Sequence, residues 1–220
     1  MTRFSHRMQA LLLGLAMASA AAQAGSLQVT VTDKDGKIVP DAVVLLMPAS
    51  AGAPKAALPT QVTITQEKMR FTPAVSIVAP GTKARFVNND SWEHNVRASA
   101  AGAAQFNADN KDGFVLRLDG KEEGKPAKFA DASFDKAGPV LLGCHLHASM
   151  RGHVYVSDSP WAVLTDAQGI ASFEGVPDGA IQVRVWQADQ LLDLAPQRVT
   201  VGAAPTKLAM QLSVVQRRRR

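Results

Sequence analysis

From residue 25 onward, apolar and polar positions alternate over short stretches broken by turn residues. Leu27, Val29 and Val31 share one face of such a run, which ends at the turn pair Asp35-Gly36. Residues 42–47 form a second run, apolar at every position. The same reasoning predicts strands over 62–65, 76–78, 84–88, 115–118, 140–144, 154–157, 170–173, 181–185, 199–201 and 208–212. Pairs such as Pro80-Gly81, Gly138-Pro139 and Asp178-Gly179 separate them. No amphipathic helix of useful length emerges, so the expected fold class is all-β, built as sandwiches.

Two shifts in composition divide the chain. Residues 49–59 are rich in Ala, Pro and Gly with little to bury, and 157–160 make a shorter break. They bracket about 100 residues, the size of one sandwich. The expected organisation is a signal peptide over 1–24, one part of an outer sandwich over 25–57, a middle domain over 58–156, the rest of the outer sandwich over 157–214 and a basic tail over 215–220. In the outer pieces, Val29-x-Val31-x-Asp33 with Pro40-Asp41-Ala42-Val43-Val44, and Thr165-Asp166-Ala167-x-Gly169 with Val183-x-Val185-Trp186, resemble the two successive parts of a carboxypeptidase-regulatory-like or transthyretin-like sandwich. That resemblance implies one Ig/transthyretin-like sandwich interrupted by another domain, an insertion that exposed turns tolerate. A tandem of small unrelated β-modules is the alternative.

Charge and cysteine content narrow the function. The formal net charge of +5 is mostly a property of the two ends. Arg3 and Arg7 belong to a positive n-region, followed by an apolar stretch over 10–22 and a small-x-small site, Ala22-Gln23-Ala24. This pattern reads as a Sec-type secretory signal, which implies a periplasmic protein with no integral membrane segment after cleavage. The run Arg217 to Arg220 supplies four more positives, so the body is nearly neutral and nucleic acid is not an expected partner. A single cysteine, Cys144, excludes an intramolecular disulfide, a four-cysteine zinc site, a Cys-x-x-Cys-His haem attachment and a two-cysteine binuclear copper centre.

That cysteine opens the run Cys144-His145-Leu146-His147-Ala148-Ser149-Met150, and His94 lies fifty positions earlier in Asn88-Asn89-Asp90-Ser91-Trp92-Glu93-His94-Asn95. One thiolate, two imidazoles and one thioether form a donor set suited to copper in both oxidation states, soft donors favouring Cu(I) and imidazoles also serving Cu(II). Cys144 ends an apolar strand, the Cys-x-x-His-x-x-Met loop can bring His147 and Met150 round one point, and His94 would come from a neighbouring loop. Each residue also has an ordinary alternative, since a lone Cys is usually a small buried hydrophobe and Met a core filler. His145 and His153 are not expected ligands; adjacent to Cys144, His145 should point to the opposite side. Trp92 reads as packing beside His94 or as a partner contact.

With Phe71-Thr72-Pro73, Val78-x-Pro80-Gly81-Thr82, Phe86-x-Asn88-x-Asp90 and Phe134-x-x-x-Gly138 in addition, residues 60–156 resemble a cupredoxin with an amicyanin-like short loop. The arrangement of the whole chain also resembles exported proteins of a methylamine-utilisation-like group. The cupredoxin resemblance implies a Greek-key β-sandwich and one type 1 (blue) copper per chain. It implies His94, Cys144 and His147 as equatorial ligands, Met150 as the weak axial one, and Asn95 as a residue tying the two ligand loops together. It further implies an electron carrier, not an enzyme, that meets a redox partner such as a dehydrogenase, oxidase or cytochrome. Copper handling or sensing without fast electron transfer would use the same donors, and zinc would tolerate them. A copper oxidase or nitrite reductase would need further all-histidine sites.

Overall fold

The computed structural model describes residues 24–106 and 113–216. The expected n-region and apolar signal stretch, up to residue 23, and the terminal arginines lie outside the described residues. Sixteen strands carry the fold, with one short 3-10 turn, Gly102–Phe106, as the sole helical element among the described residues. In chain order they are β1 (Ala24–Thr32), β2 (Val43–Pro48), β3 (Gln61–Glu67), β4 (Arg70–Thr72), β5 (Val75–Val78), β6 (Thr82–Asn88), β7 (His94–Ala100) and β8 (Phe114–Leu118). There follow β9 (Lys128–Phe134), β10 (Gly138–Cys144), β11 (Arg151–Val156), β12 (Trp161–Leu164), β13 (Ile170–Pro177), β14 (Gly179–Trp186), β15 (Gln197–Val201) and β16 (Thr206–Gln211). The all-β expectation holds. Four of these strands, β4, β7, β9 and β12, fall where no strand was expected.

The strands form four sheets, ordered β13-β1-β16, β12-β2-β14-β15, β5-β11-β10-β7-β8 and β4-β3-β6-β9. The first two close over one core of Leu27, Val29, Val31, Val44, Leu46, Phe173, Val183 and Val185. The last two close over another, containing Ile64, Phe86, Val96, Leu142, Cys144, Met150 and Val154. Alternation sets each lining: in β6, Thr82, Ala84, Phe86 and Asn88 point inward while Lys83 and Arg85 face out. On the outer face of this sheet Arg85 lies over the Phe129 ring and forks onto Asp131 through two 2.9 Å hydrogen bonds.

A third cluster joins the two sandwiches. Val43, Leu45 and Trp186 on one side meet Val75, Ala101 and Tyr155 on the other. This explains why β2 is apolar at every position. Val44 and Leu46 face the first core while Val43 and Leu45 face the joint, so neither side of the strand meets water. The result is a stack of four sheets with three apolar layers. Strand β11 shows the same two-sidedness, with Val154 and Val156 in the second core and Tyr155 in the joint. His153 occupies the position where an apolar residue is usual because its ring packs edge-on to Trp186, 5.5 Å between centroids.

Tyr155, the chain's only tyrosine, gives this joint a pH signature. Burial pushes its phenol up to about 12, with Asp158 and Asp193 adding to the effect and Arg184 opposing it. A phenol bound more tightly by its proton in the folded state stabilises that state fully below the ordinary tyrosine value near 10 and loses the contribution as pH rises through 12. Two units correspond to about 3 kcal/mol. The expected result is a steep fall in stability between those limits, coincident with tyrosinate absorbance and missing from Tyr155→Phe. Unfolding curves at stepped alkaline pH check it.

Candidate metal centre

Three of the expected donors, His94, Cys144 and His147, come together at one end of the second sandwich. Cys144 is the last residue of β10 and faces the core, 5% exposed. His94 is the first residue of β7, a strand start rather than a loop position, and is fully buried. The two strands are antiparallel neighbours with Cys144 opposite Val96. This pairing brings residues fifty positions apart into contact. Between β10 and β11 the ligand loop closes in a tight turn, the His147 N–H donating to the Cys144 carbonyl (3.3 Å) and the Met150 N–H to the His147 carbonyl (2.9 Å). The Cys144 N–H donates to the Met150 carbonyl at 3.3 Å. Met150 itself is buried in the same core as Cys144.

The side-chain geometry is specific. Cys144 Sγ stands 3.6 Å from Nδ1 of His94 and 3.5 Å from Nδ1 of His147. One donor atom from each of the three residues lies within 4.8 Å of the others. Three donors each about 2.1 Å from a shared ion in a trigonal plane would stand about 3.6 Å apart, so the separations suit one metal ion. A thiolate and two imidazoles are donors of a type 1 copper site, and Met150, buried in the same core, carries the thioether that would complete the set. Residue types and spacing therefore fit a single copper.

His145 is exposed while its neighbour Cys144 is buried, as alternation requires. Asn95 ties the two ligand segments together through its main chain, its carbonyl accepting from the His145 N–H at 3.0 Å. Trp92 lies edge-on to His94 with 6.5 Å between centroids and is 44% exposed. Leu146, at the outer tip of the ligand loop, is 52% exposed. His147 is partly exposed between them in burial, its ring 5.1 Å from that of His94.

Sequence reasoning gave Asp90 no role, and the structure places it in contact with the site. Its Oδ2 lies 2.8 Å from Nε2 of His94, both side chains shut off from solvent. The same carboxylate accepts the N–H groups of Lys68 at 2.6 Å and Met69 at 3.1 Å. Burial pushes its pKa up, but the bonds from His94, Met69 and Lys68 together outweigh that and hold it below the ordinary aspartate value. Lys68 and Met69 form the β3–β4 turn, both in the left-handed region at φ 53° and 57°. Each would cost roughly 1–2 kcal/mol there unaided, and the two bonds to the Asp90 carboxylate offset that strain. In the sequence Asp90 stands out only as the end of the Phe86-x-Asn88-x-Asp90 pattern and by its four-residue interval to His94.

Residues 58–157 match the model of the family described as copper binding proteins, plastocyanin/azurin family. The match covers 100 of the chain's 220 residues. Among solved structures, the chain resembles amicyanin from Paracoccus versutus at 23% identity, over 51% of this chain and 97% of that one, with a TM-score of 0.34. It resembles a purple cupredoxin from Nitrosopumilus maritimus at 19% identity, over 44% of this chain and 99% of that one, with a TM-score of 0.30. It also resembles a copper-containing nitrite reductase from Thermus scotoductus SA-01 at 24% identity and a TM-score of 0.36, over 51% of this chain and only 25% of that one. No curated protein matches the sequence.

Proposed function

We propose that this chain is an exported electron carrier with one type 1 copper held by His94, Cys144, His147 and Met150. The observation that carries the reading is the convergence of Cys144 Sγ with the Nδ1 atoms of His94 and His147 at the end of a rigid sandwich. When bound, copper supplies one-electron exchange between its two oxidation states. The protein's part is to hold the donors still, so that neither state requires the frame to rearrange. Backbone hydrogen bonds fix the ligand loop, and β7 and β10 fix His94 and Cys144. With four side chains on the ion, no position is left for a substrate, which favours a carrier over an enzyme. Trp92 and Leu146 offer an exposed apolar rim beside the partly exposed His147, a suitable contact for a redox protein such as a dehydrogenase, oxidase or cytochrome.

Export rests on the signal-like pattern of residues 1–24 and implies the periplasm. Among the described residues no helix is long and apolar enough to cross a membrane. The test is reconstitution with copper(II). The carrier shows intense visible absorption with a matching electron paramagnetic resonance spectrum and rapid self-exchange. A tight Cu(I) preference with very slow self-exchange would instead favour copper handling, which the same donors could serve.

The cupredoxin domain, 58–156, is read as an insertion in an outer sandwich of 25–57 and 157–214. The pairing of β1 with β13 and β16, and of β2 with β12 and β14, supports this division. Limited proteolysis should release no stable fragment 25–57, because two strands cannot hold a core alone. A folded fragment of that length would favour a tandem of small modules.

A further inference from the structure

Among the described residues Asp90 is the charged side chain that contacts His94 from behind, and it is held at each of its polar groups. Its two carboxylate oxygens take the N–H groups of Lys68 and Met69, its own N–H donates to Asn88 Oδ1 at 2.9 Å, and its carbonyl accepts from Lys121 N–H at 2.7 Å. Asn88 is itself buried and anchored, its Nδ2 donating to the carbonyls of Trp92, Leu118 and Asp119. A carboxylate already accepting two backbone N–H groups can only accept from the imidazole as well. With the proton of His94 on Nε2, the Nδ1 lone pair faces Cys144 Sγ, 3.6 Å away.

We propose that Asp90 is a positioning residue that sets the reduction potential of the centre by fixing the tautomer of His94 and lending its charge to the ring. The inference rests on the copper reading above. A full negative charge hydrogen-bonded to Nε2–H makes Nδ1 a stronger donor, and a fixed negative charge near the ion favours the more positive oxidation state. Asp90 thus stabilises Cu(II) more than Cu(I) and lowers the potential. A main-chain carbonyl at the same place would orient the ring equally well but supply far less charge.

The test compares wild type with Asp90→Asn, which keeps the shape and one acceptor oxygen but removes the charge. Copper(II) affinity is expected to fall about 10–100-fold, with Cu(I) affinity much less affected. Each tenfold selective loss raises the potential by about 59 mV. Asp131→Asn serves as the control, since it removes an exposed carboxylate charge paired with Arg85 on the outer face of the same sandwich and should leave the potential where it is. An unchanged potential in a blue Asp90→Asn protein overturns the proposal, as does an equal shift in Asp131→Asn. Should Asp90→Asn fail to fold, nitrogen-15 NMR of the metal-free wild type decides. A slowly exchanging, strongly downfield Nε2–H on His94 supports the proposal, and a proton on Nδ1 overturns it. Wild type that never turns blue would sink the copper reading together with this one, whereas a blue wild type with an unmoved potential sinks only Asp90.

Discussion

Exchange of Cys144 for Ser abolishes the intense visible band of the copper(II)-loaded protein. The band is a charge transfer from the thiolate, and a serine hydroxyl is a hard donor that stays protonated at neutral pH. The substitution changes one atom. Cys144 Sγ sits against Nδ1 of both His94 and His147, so a hydroxyl there finds partners and the sandwich should survive. Copper(II) can still be held by the two imidazoles, more weakly and with the faint colour of nitrogen and oxygen ligation. Visible and electron paramagnetic resonance spectra of both proteins, with circular dichroism to show that the strands persist, make the comparison. A blue band that outlives the sulfur would mean that Cys144 is a core residue and that the copper reading is wrong.

Trp186→Ala is expected to cost about 3–5 kcal/mol, the usual range for emptying a buried aromatic site. Trp186 is 3% exposed, at the end of β14, and its ring meets His153 and Tyr155 at 5.5 Å each. Truncation opens a hole between the sandwiches, and their unfolding transitions should separate. Trp186→Phe should cost much less. The indole Nε1 is buried with no hydrogen-bond partner, so the phenyl ring gives up volume without surrendering a bond. Denaturant midpoints of the three proteins decide the matter. Equal losses for Ala and Phe, or a loss below 1 kcal/mol for Ala, would show that this layer does not hold the sandwiches together.

The donor residues were legible in the sequence because their chemistry is local. A cysteine, a histidine three positions on and a methionine three beyond that make a compact loop, and only His94 had to come from elsewhere. Strands with strong alternation, such as β6, or uniform apolarity, such as β2, were equally plain. The strands that escaped notice have physical reasons for doing so. In β9 the outward positions hold an exposed Phe129, Asp131 and Ser133, and the inward ones begin with Lys128 and two small alanines before Phe134, a pattern with little hydrophobic signal. β7 carries His94, Asn95 and Arg97 and looks polar, since its apolar content is one valine and alanines. β12 is four residues following Pro160, and its strand character comes from pairing with β2. Asp90 was hidden for a different reason. A carboxylate four residues before a histidine is common, and only the folded loop shows that the pair is buried.

The strand order also has a consequence in time. β1 pairs with β13 and β16, and β2 with β12 and β14, so the first two of the described strands are among the last to find neighbours. Closing so long a loop adds little to the final stability, since the entropy grows only logarithmically with length, but it delays pairing. The intervening strands β3 to β11 find all their partners among themselves and need not wait. Meanwhile Val43 to Leu46, apolar on both faces, stays unpartnered in the nascent chain and is the segment most open to mispairing with another copy. The copper pocket can thus be assembled while the N-terminal strands are still unpaired, and the slow step in maturation is the return of the chain to its own beginning.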